Sequence, residues 1–126
     1  MAKDSPPKFS KKSLPPEVKL SVKVSQDKKA EDIVVLDLRE ISTFTDFFVI
    51  VTGNSSRQNT AIYESIQQEL KKGKLLPIGV EGRESAEWIL IDYGSFVVHV
   101  FSRQTRGYYS LEKLWGDAPR LSYAGA

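Results

Sequence analysis

Cysteine is absent from the 126 residues of this chain and histidine occurs once. Neither a disulfide framework nor a thiolate metal site can be built from such a set, and one histidine cannot make a His-cluster zinc site. Long apolar runs are missing too. Stretches such as Phe47 to Val51 fall far below the roughly 20 residues that cross a bilayer, and the N-terminus has no signal-peptide core. These absences point to a reducing cytosol as the compartment and exclude no soluble function. The length suits one domain that builds its core without staples.

What charge there is lies unevenly. The formal net charge of +2 divides into +5 over residues 1–30 (eight Lys, three acids) and −3 over residues 31–126 (ten Lys/Arg, thirteen Asp/Glu). A domain gripping RNA by its folded surface shows the reverse bias. The expectation is a mildly acidic body, better suited to a basic protein than to phosphate.

Met1 to Pro16 is rich in Pro, Ser and Lys and reads as a disordered basic leader. Val18, Leu20, Val22 and Val24 alternate with polar residues as in a strand, yet Glu17 after Pro15-Pro16 and the polar Asp27–Ala30 end suit a helix. The residues alone favour neither. Ile33 to Leu38 and Phe47 to Thr52 read as strands buried on both faces. Ser55 and Gln58 have capping-box spacing, Ile62, Ile66 and Leu70 share one helix face, and Gly73 is placed to stop that helix. Leu75 to Val80 reads as a short strand and Ser110 to Trp115 as one short helical piece. The segment 119–126 looks frayed. Five strands with helices between them imply a mixed sheet covered on one side.

Two apolar runs flank Asp92-Tyr93-Gly94-Ser95, a hairpin signal. With Tyr93-Gly94 as the turn, Leu90 faces Val97 and Trp88 faces His99. Alternation then puts Ile89, Ile91, Phe96, Val98 and Val100 on a wholly apolar face. Trp88, Leu90, Asp92, Val97, His99 and Phe101 lie on a mixed one. A mixed face of that kind is costly to bury, so it reads as a recognition surface.

Chemistry finds little footing. Asp92 and His99 share a face, but no nucleophile is fixed beside them, so no catalytic residue is assigned. Gly53-Asn54-Ser55-Ser56 lacks the Lys-Ser/Thr of a P-loop and the three glycines of a dinucleotide fold, and reads as a turn and cap. Asp37 has no second strand carboxylate with which to hold metal. No metal or cofactor is expected.

Four pieces of the chain resemble the ribosomal silencing factor (iojap-like) family, in order and spacing: Lys28 to Glu40 (KKAEDIVVLDLRE), Thr45 to Gln58 (TDFFVIVTGNSSRQ), Gly82 to Phe101 (GRESAEWILIDYGSFVVHVF) and Arg106 to Ala118 (RGYYSLEKLWGDA). The resemblance implies an α/β fold with a mixed five-stranded sheet covered by helices. The outline is that of nucleotidyltransferases without their catalytic carboxylates, and Val18–Ala30 becomes a helix. It places the domain at residues 17–118, with the leader 1–16 and tail 119–126 outside. It implies a non-enzymatic cytoplasmic protein that binds the large ribosomal subunit through its fourteenth ribosomal protein. By blocking joining with the small subunit it represses translation, with little direct nucleic-acid contact and a possible homodimer off the ribosome. The alternative is a ribosome-associated RNA-binding or assembly factor. Where the motif pieces overlap the mixed hairpin face, the expected contacts are Trp88, Asp92, Tyr93, His99, Phe101 and Tyr109, with Asp46 at the margin. Tyr93 is expected to protrude at the turn.

Overall fold

A computed structural model describes residues 8–123. The helices are α1 (Pro16–Asp27), α2 (Ser56–Lys72), α3 (Arg103–Tyr109) and α4 (Leu111–Leu114). The strands are β1 (Glu31–Asp37), β2 (Phe47–Gly53), β3 (Gly79–Glu81), β4 (Trp88–Asp92), β5 (Phe96–Ser102) and β6 (Arg120–Ser122). They form a mixed sheet in the order β3-β4-β5-β2-β1-β6. Among the described residues only the central β2–β5 pair is parallel, Phe47 to Gly53 running beside Phe96 to Ser102. The fold class is the mixed α/β sheet with flanking helices expected from the sequence, with six strands in place of five.

The helix α1 owes its existence to a stripe the alternating valines conceal. Val18, Ser21, Val22 and Ser25 are buried at i, i+3, i+4 and i+7. Two of the four are serines, invisible to a hydrophobicity reading. Their hydroxyls donate back to the carbonyls of Glu17 (2.9 Å) and Ser21 (2.8 Å), so neither hydroxyl is left unpaired beneath the helix. Pro16 sits at the first helical position, where its missing N–H costs nothing. In α2 the Ser55 side chain caps the helix, accepting from the Gln58 N–H at 3.0 Å. Asn59, Ile62, Tyr63, Ile66 and Leu70 face the sheet.

Each sheet face has its own core. On one, α1 and α2 cover Ile33, Val35, Val49, Val51, Ile89, Ile91, Phe96, Val98 and Val100. On the other, Val34, Leu36, Phe48, Ile50, Val97 and Phe101 pack against Trp88, Leu90, Leu111, Trp115 and Ala118. The central strands are therefore buried on both sides, as their continuous apolar runs require.

Several expectations change. The leader does not stop being structure at Pro16: Phe9 stacks on Phe47 with centroids 6.2 Å apart, Leu14 is buried, and the Arg39 guanidinium donates to the Lys8 carbonyl. Two apolar residues among the lysines suffice to anchor it. Residues 1–7 of the expected leader and 124–126 of the expected tail lie outside the described residues. The rest of the tail is not frayed, since β6 pairs with β1 and Leu121 packs on the helix-side core.

The hairpin register is two residues away from the expected one. Tyr93 pairs with Phe96 through its N–H, Leu90 faces His99 and Trp88 faces Phe101. The turn is Gly94-Ser95, with φ of +85° at Gly94, as a two-residue loop opening on glycine demands. A one-residue move of the turn shifts partners by two, so every side chain keeps its face. Finally, the last helical piece is two helices. Ser102 caps an unforeseen α3, accepting from Thr105 N–H, and Ser110 at φ +48° turns the corner into α4.

Candidate partner-binding face

The sheet face opposite α1 and α2 is roofed only in part. The α3–α4 corner crosses it at one end, and the loop between β1 and β2 reaches over it at the other. His99 lies near the middle of this face and is 3% exposed. The Phe48 ring meets it edge-on at 4.4 Å, and Phe101 stacks at 6.0 Å. The Trp88 indole N–H donates to His99 Nδ1 at 3.1 Å. That bond fixes the tautomer: the proton sits on Nε2, which is buried and has no protein partner among the described residues. Burial drives the imidazole pKa down to about 3, so the ring is neutral.

Trp88 transmits this arrangement outward. Its ring stacks on Phe101 at 4.9 Å and meets Tyr109 at 4.6 Å. At the other end Phe44 touches both Phe48 (6.3 Å) and Trp115 (6.1 Å). The rim of this cluster is unusually exposed for apolar groups: Phe44 is 61% exposed, Leu114 73% and Tyr109 49%, with Tyr108 set edge-on against Tyr109. Leu90, Trp88 and Trp115 are half-buried between them.

The α3–α4 corner is held by charge. The half-buried Arg106 guanidinium donates to Glu112 Oε2 (2.8 Å), Thr52 Oγ1 (2.8 Å) and the Asp32 carbonyl, while Arg120 reaches Glu112 Oε1 at 3.1 Å. The bond from Arg106 lowers the Glu112 pKa, outweighing the opposing effect of burial. A cleft of about 330 Å³ beside this corner is lined by Asp32, Arg106, Glu112 and Arg120. The two arginines are already engaged with Glu112.

The sequence-predicted contacts are thus divided. Phe101 is fully buried and His99 nearly so; both are framework beneath the face, where their apolar and aromatic neighbours enclose them. Tyr93 does not protrude. It lies on the α2 side of the sheet, stacked on Phe96 at 5.0 Å, and burial raises its pKa to about 12. The shifted register moves it from the turn into the strand ladder. Trp88 and Asp92 are half-buried, Tyr109 and Asp46 exposed. Asp92 Oδ1 accepts from the Gly94 N–H at 2.8 Å, closing the turn. Phe44, Leu114 and Trp115 were missed. Phe44 sits in a polar loop with no periodicity to flag it, and only the fold shows that Leu114 points away from the sheet.

The same geometry offers catalysis little. A neutral, enclosed His99 cannot exchange a proton with a substrate, and Asp92 is engaged at the turn. Asp37 is gripped by Arg39 through two bonds (2.9 and 2.8 Å), which hold its carboxyl below the usual range although burial acts the other way. Ser55 serves the α2 cap. Among the described residues no three His, Asp or Glu are grouped to hold a metal ion, and no helix is long and apolar enough to cross a membrane.

The architecture is that of a mixed α/β sheet protein with both faces packed and an apolar rim around one of them. A family model described as "Ribosomal silencing factor during starvation" matches residues 11–125, and the chain belongs to that family. It is 44% identical to a protein of Halalkalibacterium halodurans named ribosomal silencing factor RsfS over 108 residues, 86% of this chain and 92% of that one. A crystal structure of a Chromobacterium violaceum protein superposes with a TM-score of 0.77 at 39% identity, covering 79% of this chain and 83% of that one. A mouse protein named "Mitochondrial assembly of ribosomal large subunit protein 1" is 31% identical over 102 residues. These span 79% of this chain and 45% of that longer one.

Proposed function

We propose that this protein silences translation by binding the large ribosomal subunit through the fourteenth large-subunit ribosomal protein and sterically blocking the small subunit from joining. No chemical step is needed, and none is assigned. Membership of the silencing-factor family supports the ribosomal setting. The observation that carries the site is the exposed apolar rim of Phe44, Tyr109 and Leu114 around the half-buried Trp88, Leu90 and Trp115. Exposed aromatic side chains clustered about a rigid, packed centre suit a protein-binding hot spot, and Leu114 enlarges the apolar patch around them. Asp46 and Asp92 at its edge suit a basic partner, whose approach they orient. This rim makes little contact with phosphate. The protein works in the cytoplasm, and off the ribosome a second copy can cover the same rim as a homodimer.

The test is a sucrose-gradient profile of large and small subunits mixed with the protein. Wild type is expected to travel with large subunits and to reduce joined ribosomes. The double substitution Phe44→Ala, Leu114→Ala is expected to weaken that binding by about 2 kcal/mol, roughly thirtyfold, without unfolding. Unchanged co-sedimentation of the folded variant would place the contact elsewhere. The name of the mouse relative favours a second reading, a role in assembling the large subunit. Accumulation of immature large subunits in cells lacking the protein, with joining unaffected, would select it.

A further inference from the structure

The charge division seen along the chain is a division between two sides of the molecule. Because Phe9 and Leu14 belong to the same helix-side core as Val18, Val22 and Val24, the segment 8–15 and α1 form one continuous outer surface. That surface carries Lys8, Lys11, Lys12, Lys19, Lys23, Lys28 and Lys29, all exposed, against only Glu17 and Asp27, a net +5 over residues 8–30. Among the described residues only Lys23 of the seven has an ion-pair partner, Asp27 at 3.7 Å. Lys11 lies over the Tyr123 ring at 4.4 Å, which leaves its charge unneutralised.

The neighbouring α2 segment, residues 56–74, adds four Lys/Arg against two Glu, a net +2, and the other side of the molecule is the opposite. The sheet with its loops and the α3–α4 corner, residues 31–55 and 75–123, has eleven Asp/Glu against six Lys/Arg, a net −5. Four of those six (Arg39, Arg103, Arg106 and Arg120) are already paired with carboxylates. The basic excess is therefore no loose tail beside an acidic body; it is a fixed face on the folded domain.

We propose that this α1 face is a second contact surface, one that takes the phosphate backbone of RNA without reading its sequence. Lysines without arginines suit such a role, since compact, mobile point charges neutralise phosphates but lack the planar fork that recognises a base edge. An anionic membrane is the poorer occupant, because a helix lying on lipid must offer its apolar stripe, and the α1 stripe is buried in the core. On a ribosome the arrangement orients the protein, its apolar rim on a ribosomal protein and its lysines toward ribosomal RNA. Only the ribosomal identity of that RNA rests on the function proposed above. The expectation of little direct nucleic-acid contact then holds for the rim and not for the whole molecule.

The experiment is fluorescence anisotropy of a labelled RNA duplex of arbitrary sequence, titrated with the full chain between about 50 and 200 mM KCl. If four lysines meet phosphates, log affinity should fall against log salt with a slope of about −3 to −4. The variant Lys11→Gln, Lys12→Gln, Lys19→Gln, Lys23→Gln should abolish most of that slope and lower affinity at least about tenfold at about 100 mM KCl. It should still bind the isolated fourteenth ribosomal protein as wild type does. A wild-type slope shallower than about −1, or a variant indistinguishable from wild type, overturns the proposal, as does tighter binding to phosphatidylserine vesicles than to RNA. The Phe44/Leu114 variant supplies the converse arm. If it loses the ribosomal protein and keeps RNA, the two surfaces are separate. Should the isolated ribosomal protein not bind wild type at all, the rim reading fails while the RNA result stands by itself.

Discussion

A histidine locked neutral inside the sheet makes stability depend on pH between about 5 and 7, above the ordinary range of carboxylates. Folded His99 has a pKa of about 3, against the ordinary 6.5 it recovers on unfolding. Because the folded value is depressed, the unfolded chain binds the extra proton. The contribution of His99 is complete above pH 6.5 and is lost as pH falls toward 3. Each pH unit within that window is worth about 1.4 kcal/mol, so acidification from about pH 7 to pH 5 should remove about 2 kcal/mol. Asp37 and Glu112 act in the same direction, but their folded values lie below 3.8 and 4.5, so their share disappears only in more acidic solution. The control is His99→Asn, which can keep an acceptor near the position of Nδ1 for the Trp88 indole and does not titrate. Urea unfolding of both proteins at about pH 7, 6 and 5 isolates the effect as the difference between them. Parallel stability curves would refute the reasoning, and so would an NMR titration of His99 with a midpoint near the ordinary 6.5.

Other expectations follow from particular contacts. In Gly82→Ala the new Cβ would lie 1.9 Å from the Trp88 carbonyl oxygen, at a backbone φ of +86°; thermal unfolding should reveal a loss of more than about 2 kcal/mol. Gly53→Ala drives a methyl 1.9 Å from Asn59 Oδ1, and that buried side chain also donates to the Ala86 carbonyl. It should cost about 1–3 kcal/mol and loosen the loop before β4, read as faster amide exchange there. Leu14→Ala should destabilise the whole domain by about 2–5 kcal/mol in urea titration, whereas a residue in an unstructured leader would contribute nothing measurable. Trp88→Ala, which strips the centre of the aromatic stack, should reduce stability by about 3 kcal/mol and so cannot by itself test partner binding.

What was legible in the sequence is what periodicity and turn chemistry control. The doubly buried β1 and β2, the Ser55 cap and the division of β4 and β5 into two faces all follow from such local rules. Where the rules rely on apolarity they fail in an intelligible way. The α1 stripe uses two serines that satisfy themselves against the helix backbone, so its period was hidden behind a false alternation. Phe9 and Leu14, isolated among lysines, were too sparse to register as packing. The α3–α4 corner depends on Arg106 and on a left-handed Ser110, neither of which leaves a periodic trace. As for the site, alternation placed Trp88, His99 and Phe101 together, but nothing in a single strand tells whether a later segment will roof it. The residues left at the surface, Phe44 and Leu114, belong to the roof itself.

That roof bears on how a molecule of this size can act as an obstacle. Both sheet faces are packed, the corner that carries Tyr109 and Leu114 is fastened to β1, β2 and β6 through Arg106 and Glu112, and Phe44 rests on Trp115. The rim is thus held in shape before any partner arrives, which limits the ordering cost that otherwise consumes much of the energy of a small interface. A rigid rim with few anchors gains affinity from dissociating slowly. Its encounter rate depends instead on the long-range field, here set by lysines on one side and carboxylates on the other. The two faces are therefore expected to fail differently: rim substitutions should speed dissociation and leave association nearly unchanged, while lysine substitutions should slow association in low salt and lose their effect as salt is raised. Stopped-flow rates with purified large subunits separate the two, and equal effects of both classes on dissociation would mean that the faces act as one surface.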